Sequence, residues 1–351
     1  MTRQSLRWSA ALIGVGGAAL AVAQQRKASF ARKLRGKVVL ITGGSRGLGF
    51  ALAEELASLG VRLVLTSRHS EELERAKARL LADHRTSAAD IFVQASDVSV
   101  PQEIQDVVTA ATERFGQIDV LINNAGIILV GPLESLNVAS FEEAMNTNFY
   151  GALHATMAVL PQMLARHDGA IVNIASIGGK VAFPHLLPYV ASKFAMTGWS
   201  QGLRAELTGK GIRVTTVTPG IMRTGSHIQA RYSGNAGEEY RWFGGAASLP
   251  ITASNARSAA KTVIKALVRG SAEISVGLEA IAAARIANLA PELTANVLAA
   301  ANGLLPRAVR TNRAVPGKAL RGSLPAVVER AGTKAIREYN QEEIPIAAGN
   351  V

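Results

Sequence analysis

The stretch Lys37-Val-Val-Leu-Ile-Thr42-Gly43-Gly-Ser-Arg-Gly47-Leu-Gly49 decides the fold. Val38 to Thr42 is an unbroken apolar run of the kind found in a strand buried on both faces. A glycine-rich turn follows at once, and from Leu48 to Leu59 the apolar residues recur at helical spacing. Strand, glycine turn and helix in that order make a phosphate cradle. Gly43 permits the tight turn, Gly47 lets backbone N–H groups approach a pyrophosphate, and Gly49 lets the helix pack close to the sheet, while the helix N-terminus favours the anion. The alternative is a flexible glycine loop with no ligand; the strand before it and the amphipathic helix after it weigh against that.

Outward from this unit the chain keeps alternating. Strand-like runs fall at Val38–Thr42, Arg62–Ser67, Ile91–Gln94, Val120–Asn123, Ala170–Ala175, Ile212–Thr218 and Glu273–Val276. Helical patterns separate them at Leu48–Leu59, Glu71–Asp83, Pro101–Phe115, Ser140–Arg166, Tyr189–Thr208 and Ala253–Arg269. Such alternation predicts a doubly wound parallel α/β sheet, a Rossmann fold, covered on both faces by right-handed crossovers, with ligands at the carboxyl ends of the strands. Three segments result: residues 1–35, apolar with basic flanks; 36–277, the α/β catalytic domain; and 278–351, a helical, basic extension. At 351 residues one large domain with appendages at both ends fits better than two equal halves.

Tyr189-Val-Ala-Ser-Lys193 places a phenol and an ammonium four residues apart on one helix face. An ammonium beside a phenol stabilises the phenolate and draws its pKa down from about 10, which makes Tyr189 a candidate acid–base group. The spacing alone is common by chance. Ser176, at the end of the strand Ala170–Ala175, adds a hydroxyl able to donate to a substrate oxygen.

These residues, with Thr42-Gly-Gly-Ser-Arg-Gly-Leu-Gly49, Asn123-Asn-Ala-Gly126, Asn148 and Pro219-Gly220, occur in the order and spacing of the short-chain dehydrogenase/reductase family, in its shorter, non-extended branch. The resemblance covers roughly Gly36 to Gly277. It implies a catalytic set of Asn148, Ser176, Tyr189 and Lys193, with Asn148 holding a water for proton relay and Lys193 also binding the nicotinamide ribose. It further implies a cofactor groove built from Gly43, Ser45, Arg46, Gly47, Leu48, Gly49, Arg68, Asp97, Val98, Asn124, Ala125, Gly126, Tyr189, Lys193, Pro219 and Gly220. Asp97 is placed by the same resemblance to accept from the adenine amino group; otherwise it is a capping carboxylate before Pro101. Asn146, two positions before Asn148, blurs that assignment. A homo-oligomer is implied as well.

Charge argues which cofactor is used. Enzymes that use NAD place a carboxylate at the end of the second strand, whereas NADP calls for arginine there. The turn here reads Leu65-Thr66-Ser67-Arg68, with no acid, and Arg46 in the glycine turn supplies a second cation. NADP(H) is expected. The loop from Ile177 to Pro188 is apolar and supplies Phe183 and Leu186 as substrate contacts, so the expected substrate is an apolar carbonyl or alcohol of lipid, steroid or retinoid type. His185 in that loop reads better as a partly exposed loop histidine than as a substrate contact. The aperiodic stretch between Gly220 and Pro250, with Tyr232, Tyr240, Trp242 and Phe243, reads as a lid over the substrate, with a surface-packed helix as the alternative.

Composition bounds the rest. The chain has no cysteine and no histidine cluster at metal-ligand spacing, so a metal site is not expected. Its net charge of +12 needs a partner, and the excess gathers at Arg26, Lys27, Arg32, Lys33, Arg35 and Lys37 and again at Arg307, Arg310, Arg313, Lys318 and Arg321. These runs lack interleaved aromatics, which disfavours nucleic acid, and each adjoins an apolar segment, which favours anionic lipid. Trp8 to Ala23 is short for a membrane span; an interfacial or inserted anchor, a helix packed on the protein's own surface and a cleaved signal peptide compete there. The expected location is the cytoplasmic face of a membrane, with a soluble cytoplasmic protein as the alternative. Two apolar helices broken by Pro291 are expected over Leu278–Leu305, and one more over Leu324–Tyr339. The rival class of function is a non-catalytic NADP(H)-binding redox sensor or scaffold of the same fold.

Overall fold

Val38–Thr42 is buried along its whole length because layers cover both of its faces in the computed structural model, which describes residues 32–83, 86–249, 253–309, 311 and 313–342. This strand is β1. Gly47–Ala57 (α1), Arg62–Ser67 (β2), Ser70–Asp83 (α2), Ile91–Ala95 (β3), Pro101–Phe115 (α3) and Val120–Asn123 (β4) follow. Val138–Met145 (α4) runs through a π-helical turn at Asn146–Tyr150 into Gly151–Arg166 (α5). Then come Gly169–Ile174 (β5), Leu187–Leu207 (α6), Ile212–Pro219 (β6), Ala236–Ser248 (α7), Ala256–Arg269 (α8) and Glu273–Val276 (β7). The seven strands lie in the order β7-β6-β5-β4-β1-β2-β3, all pairs parallel. That is the doubly wound Rossmann sheet, with its order reversing between β1 and β4.

The strand alternation divides the core in two. Val39 and Ile41 of β1 face α1, α2 and α8, while Val38 and Leu40 face α3, α5 and α6. Asp119 fixes the edge where β4 begins: one carboxylate oxygen accepts from the Val38 N–H at 2.8 Å and the other from Lys37 Nζ at 2.8 Å.

The stretch expected as a lid holds the helix α7. Tyr232 and Tyr240 are fully buried there, and Phe243 nearly so, in a cluster with Leu186, Val190 and Leu324. The aromatics anchor a packed lobe. Beyond β7, Leu278–Leu289 (α9) and Pro291–Asn302 (α10) are the two apolar helices split by Pro291, and Ala326–Glu338 (α11) is the last. Among the described residues no helix is long and apolar enough to cross a membrane. Trp8–Ala23, Arg26, Lys27 and Arg310 lie outside the described residues.

Candidate active site

The carboxyl ends of β1, β4, β5 and β6 open onto one cavity of about 540 Å³, within the usual range for a small-molecule site. Its floor begins at the glycine turn. Gly43 and Gly47 take φ of +64° and +61°, a region open to glycine at little cost. A methyl group at Gly49 would lie 2.6 Å from Asn124 Nδ2 and overlap the Gly43 carbonyl, so only glycine lets α1 begin this close to the turn. Asn124 completes the cradle by donating from Nδ2 to the carbonyls of Thr42 and Gly43 at 3.1 and 3.0 Å. A groove walled by bare backbone at a helix N-terminus fits a dinucleotide phosphate.

Ser176, Tyr189 and Lys193 line the same cavity from two elements. Ser176 follows β5, where its Oγ accepts from the Gly178 N–H at 3.0 Å and starts a short 3-10 turn. Tyr189 sits in the first turn of α6, which Pro188 opens, and Lys193 stands one turn further on. Burial pushes the Tyr189 phenol up, and a hydrogen bond with the Ser176 side chain draws it back in part. Lys193 is 4% exposed; its Nζ donates to the Ile174 carbonyl at 2.9 Å and lies 5.7 Å from the Tyr189 ring centre. Burial alone lowers its pKa to about 8. The ammonium is thus aimed at the end of β5, and the phenol, which the spacing predicts to be lowered, is raised in this state because the buried ring loses more by desolvation than the bond with Ser176 returns.

The π-helical turn settles which asparagine faces inward. Asn146 is exposed and Asn148 fully buried. Asn148 Oδ1 accepts from the Ile127 N–H at 2.7 Å, and Nδ2 donates to the Ile127 carbonyl at 3.1 Å and to Ser192 Oγ at 2.9 Å. The side chain therefore pins the loop after β4 to α6, and its hydrogen bonds are taken up by protein groups.

Ser45, Arg46, Leu48, Arg68, Asp97, Val98, Ala125, Gly126, Pro219 and Gly220 also line the cavity. One Asp97 oxygen is engaged locally, accepting from the N–H and hydroxyl of Ser99 at 2.9 and 2.7 Å. Phe183 and Leu186 line an apolar side of the cavity with Trp242, Phe243 and Leu298. His185 is not the partly exposed residue its loop position suggests. It is 6% exposed at φ +60°, with Nδ1 2.8 Å from Oε1 of the fully buried Glu239, whose other oxygen accepts from Trp242 Nε1 at 2.7 Å. This pair holds the loop and the cavity-lining Trp242 in register. It has no local signature because its partners are 54 residues apart.

Glu72 escapes sequence reasoning for the same reason. It lies in the first turn of α2, where Arg46 donates to it at 2.5 Å and Ser45 Oγ at 3.2 Å. Arg68 and Arg75 bear electrostatically on Arg46, and Arg75 Nε is buried with no hydrogen-bond partner among the described residues. Three guanidiniums thus lie near one another by the end of β2, and one of them, Arg46, is paired with the Glu72 carboxylate.

Residues 37–233 match the short chain dehydrogenase family. A protein of Anopheles gambiae named dehydrogenase/reductase SDR family protein 7-like is 36% identical over 70% of this chain and 76% of its own length. A protein of the same name in Drosophila melanogaster is 40% identical over 57% of this chain and 62% of its own length. A solved structure of a short-chain dehydrogenase from Streptomyces avermitilis aligns with a TM-score of 0.64 at 28% identity, covering 76% of this chain and 98% of that one. The chain belongs to the short-chain dehydrogenase/reductase family, and with that to oxidoreductases that use a nicotinamide cofactor.

Proposed function

We propose that this protein is an NADP(H)-dependent oxidoreductase that interconverts a carbonyl and a hydroxyl group on an apolar molecule of lipid, steroid or retinoid type. The observation that carries this is the convergence of Ser176, Tyr189 and Lys193 on a cavity whose far wall is Phe183, Leu186, Trp242 and Phe243. When bound, the nicotinamide supplies or takes up the hydride. The protein's part is to hold the oxygen and its proton. Ser176 donates to the substrate oxygen and fixes its distance from Tyr189. Tyr189 gives that oxygen a proton in reduction and removes it in oxidation. A phenol held neutral by burial suits the first of these. Lys193, close to its titration range, draws the phenol down once it turns from the Ile174 carbonyl toward bound ribose and phenol.

Arg46, Arg68 and Arg75 support NADP(H), since clustered guanidiniums suit a 2′-phosphate. The apolar helices α9 and α10, with Arg285, Arg307, Arg313 and Lys318 exposed on and after them, support work at the cytoplasmic face of a membrane. Tyr189→Phe tests the chemistry. The variant is expected to lose at least about a thousandfold in NADPH-dependent reduction of apolar carbonyl compounds, while NADPH still quenches its tryptophan fluorescence. Turnover within tenfold of the parent would overturn the assignment, and equal turnover with NADH would overturn the cofactor preference.

A further inference from the structure

The cavity has a wall that comes from outside residues 37–233. Tyr339, Asn340 and Gln341, which follow α11, are 1%, 2% and 4% exposed. The Tyr339 carbonyl accepts from the Gly47 N–H at 2.8 Å, in the middle of the glycine turn. Asn340 Nδ2 donates to the Ser45 carbonyl at 2.7 Å and to the Glu72 carbonyl at 3.2 Å. On the other side, Gln341 Nε2 donates to the Thr224 carbonyl at 2.8 Å, and the Gln341 carbonyl accepts from Gln229 Nε2 at 3.2 Å. Ser45, Gly47, Thr224, Gln229 and Gln341 all line the cavity. Three consecutive residues therefore join the glycine turn to the segment after β6, the two walls between which a dinucleotide must enter.

Two further features mark this as more than a docked chain end. Asn340 sits at φ +55°, a left-handed conformation that asparagine tolerates better than most residues, and its side-chain bonds hold it there. Among the described residues Gln341 Oε1 is buried without a partner, in a residue that lines the cavity, so one strong acceptor there is open to a donor from outside them. Arg79 of α2 ties the approach by donating to the carbonyls of Arg337 and Glu338 at 3.0 and 2.9 Å, which also satisfies two end-of-helix carbonyls.

We infer that Tyr339–Gln341 form a clasp of the dinucleotide site, with Asn340 and Gln341 as positioning residues that hold the glycine turn to the Thr224–Gln229 wall and release it when the cofactor exchanges. The inference rests on reading the cavity as a nicotinamide dinucleotide site. A gate slows entry and exit together, whereas a plain ligand residue slows exit alone. Asn340→Gly keeps the left-handed backbone and removes the amide; Gln341→Ala removes the bridge to Thr224.

The experiment is stopped-flow binding of NADPH, followed by nucleotide fluorescence, on the full chain, on Gln341→Ala and on the double variant, with thermal unfolding measured on each. The expected result is that association and dissociation rate constants both rise, at least tenfold in the double variant and less in the single one. Melting temperatures should stay within a few degrees of the parent. Rate constants within twofold of the parent would overturn the clasp, and so would faster dissociation with unchanged association. If the parent bound neither NADPH nor NADH, the cofactor reading would fall instead, which separates the two failures.

Discussion

Lys193 holds a charge where burial opposes it. A lysine 4% exposed, with its ammonium on one backbone carbonyl and 3.9 Å from the Met196 sulfur, keeps its charge at a cost. Burial brings its pKa from 10.5 to about 8. Because the folded value lies below the unfolded one, the charged form destabilises the fold at neutral pH, and stability rises as pH climbs from about 8 toward 10.5, where only the unfolded chain still binds the proton. Lys193→Met fills similar space without charge. It is expected to be inactive yet more stable in the cofactor-free state at pH 7, by roughly 1–3 kcal/mol. That advantage should shrink between pH 8 and 10.5. Chemical denaturation of both proteins at pH 7 and pH 9.5 checks it; a variant less stable than the parent at pH 7 would show that the bond to the Ile174 carbonyl outweighs the desolvation. Under the proposed mechanism, kcat/KM for reduction, which reports the free enzyme, is expected to fall as pH rises through about 8 and Lys193 loses its charge.

At the scale of elements, the start of α2 poses the main question of specificity. A helix N-terminus favours acidic residues in its first turn, and Glu71 and Glu72 occupy that place. Folding then brings Glu72 against Arg46 and Ser45, so a carboxylate sits among the guanidiniums proposed for the 2′-phosphate. Like charges repel there, and Arg46 has to exchange one anion for the other. Glu72→Gln keeps a hydrogen-bonding side chain and removes the competing charge. It is expected to tighten NADPH binding about tenfold while leaving NADH within about threefold, as isothermal titration would show. Tighter NADH binding and weaker NADPH binding would assign Glu72 to the ribose instead. The periodicity of the chain predicts these elements closely: β1, β2, β4 and β7 begin and end where the apolar runs do, and α3 spans Pro101–Phe115 in both readings. The glycine turn, Ser176, Tyr189 and Lys193 are visible for the same reason, since each lies in or directly beside an element whose local pattern marks it. Glu72 with Arg46, Glu239 with His185 and Asn340 with Ser45 are not, because their partners lie 26, 54 and 295 residues apart and leave no local pattern. The aromatics between Gly220 and Pro250 are visible in the sequence, but the burial that turns α7 into part of a packed lobe depends on Leu324, which arrives from the far end of the chain.

At the scale of the whole molecule, α9 and α10 stand apart from the core. α9 buries only Ala280 and α10 buries no residue, while Leu278, Leu289, Leu293, Val297 and Leu304 are each more than half exposed. An apolar patch of that kind is expected to be covered. A second copy of the chain is one cover; the proposed anionic lipid surface is another, and it would also meet the exposed Arg285 on α9 and Arg307 shortly after α10. Leu298, Ala301 and Leu305 of the same segment line the cavity, so this exposed face adjoins one of its walls. On the proposed membrane docking, an apolar substrate would pass from bilayer to cavity without crossing water. Leu289→Glu with Leu293→Glu in the full chain tests this, since residues 1–31 are the same in both proteins and any difference comes from the helices. Co-sedimentation with vesicles of phosphatidylserine and phosphatidylcholine is expected to weaken by at least about tenfold in the double variant. Turnover of a membrane-partitioned ketone should fall with it, while turnover of a water-soluble carbonyl compound stays at the parent's rate. Unchanged vesicle binding together with a shift from dimer to monomer in sedimentation would give the face to a second copy of the chain.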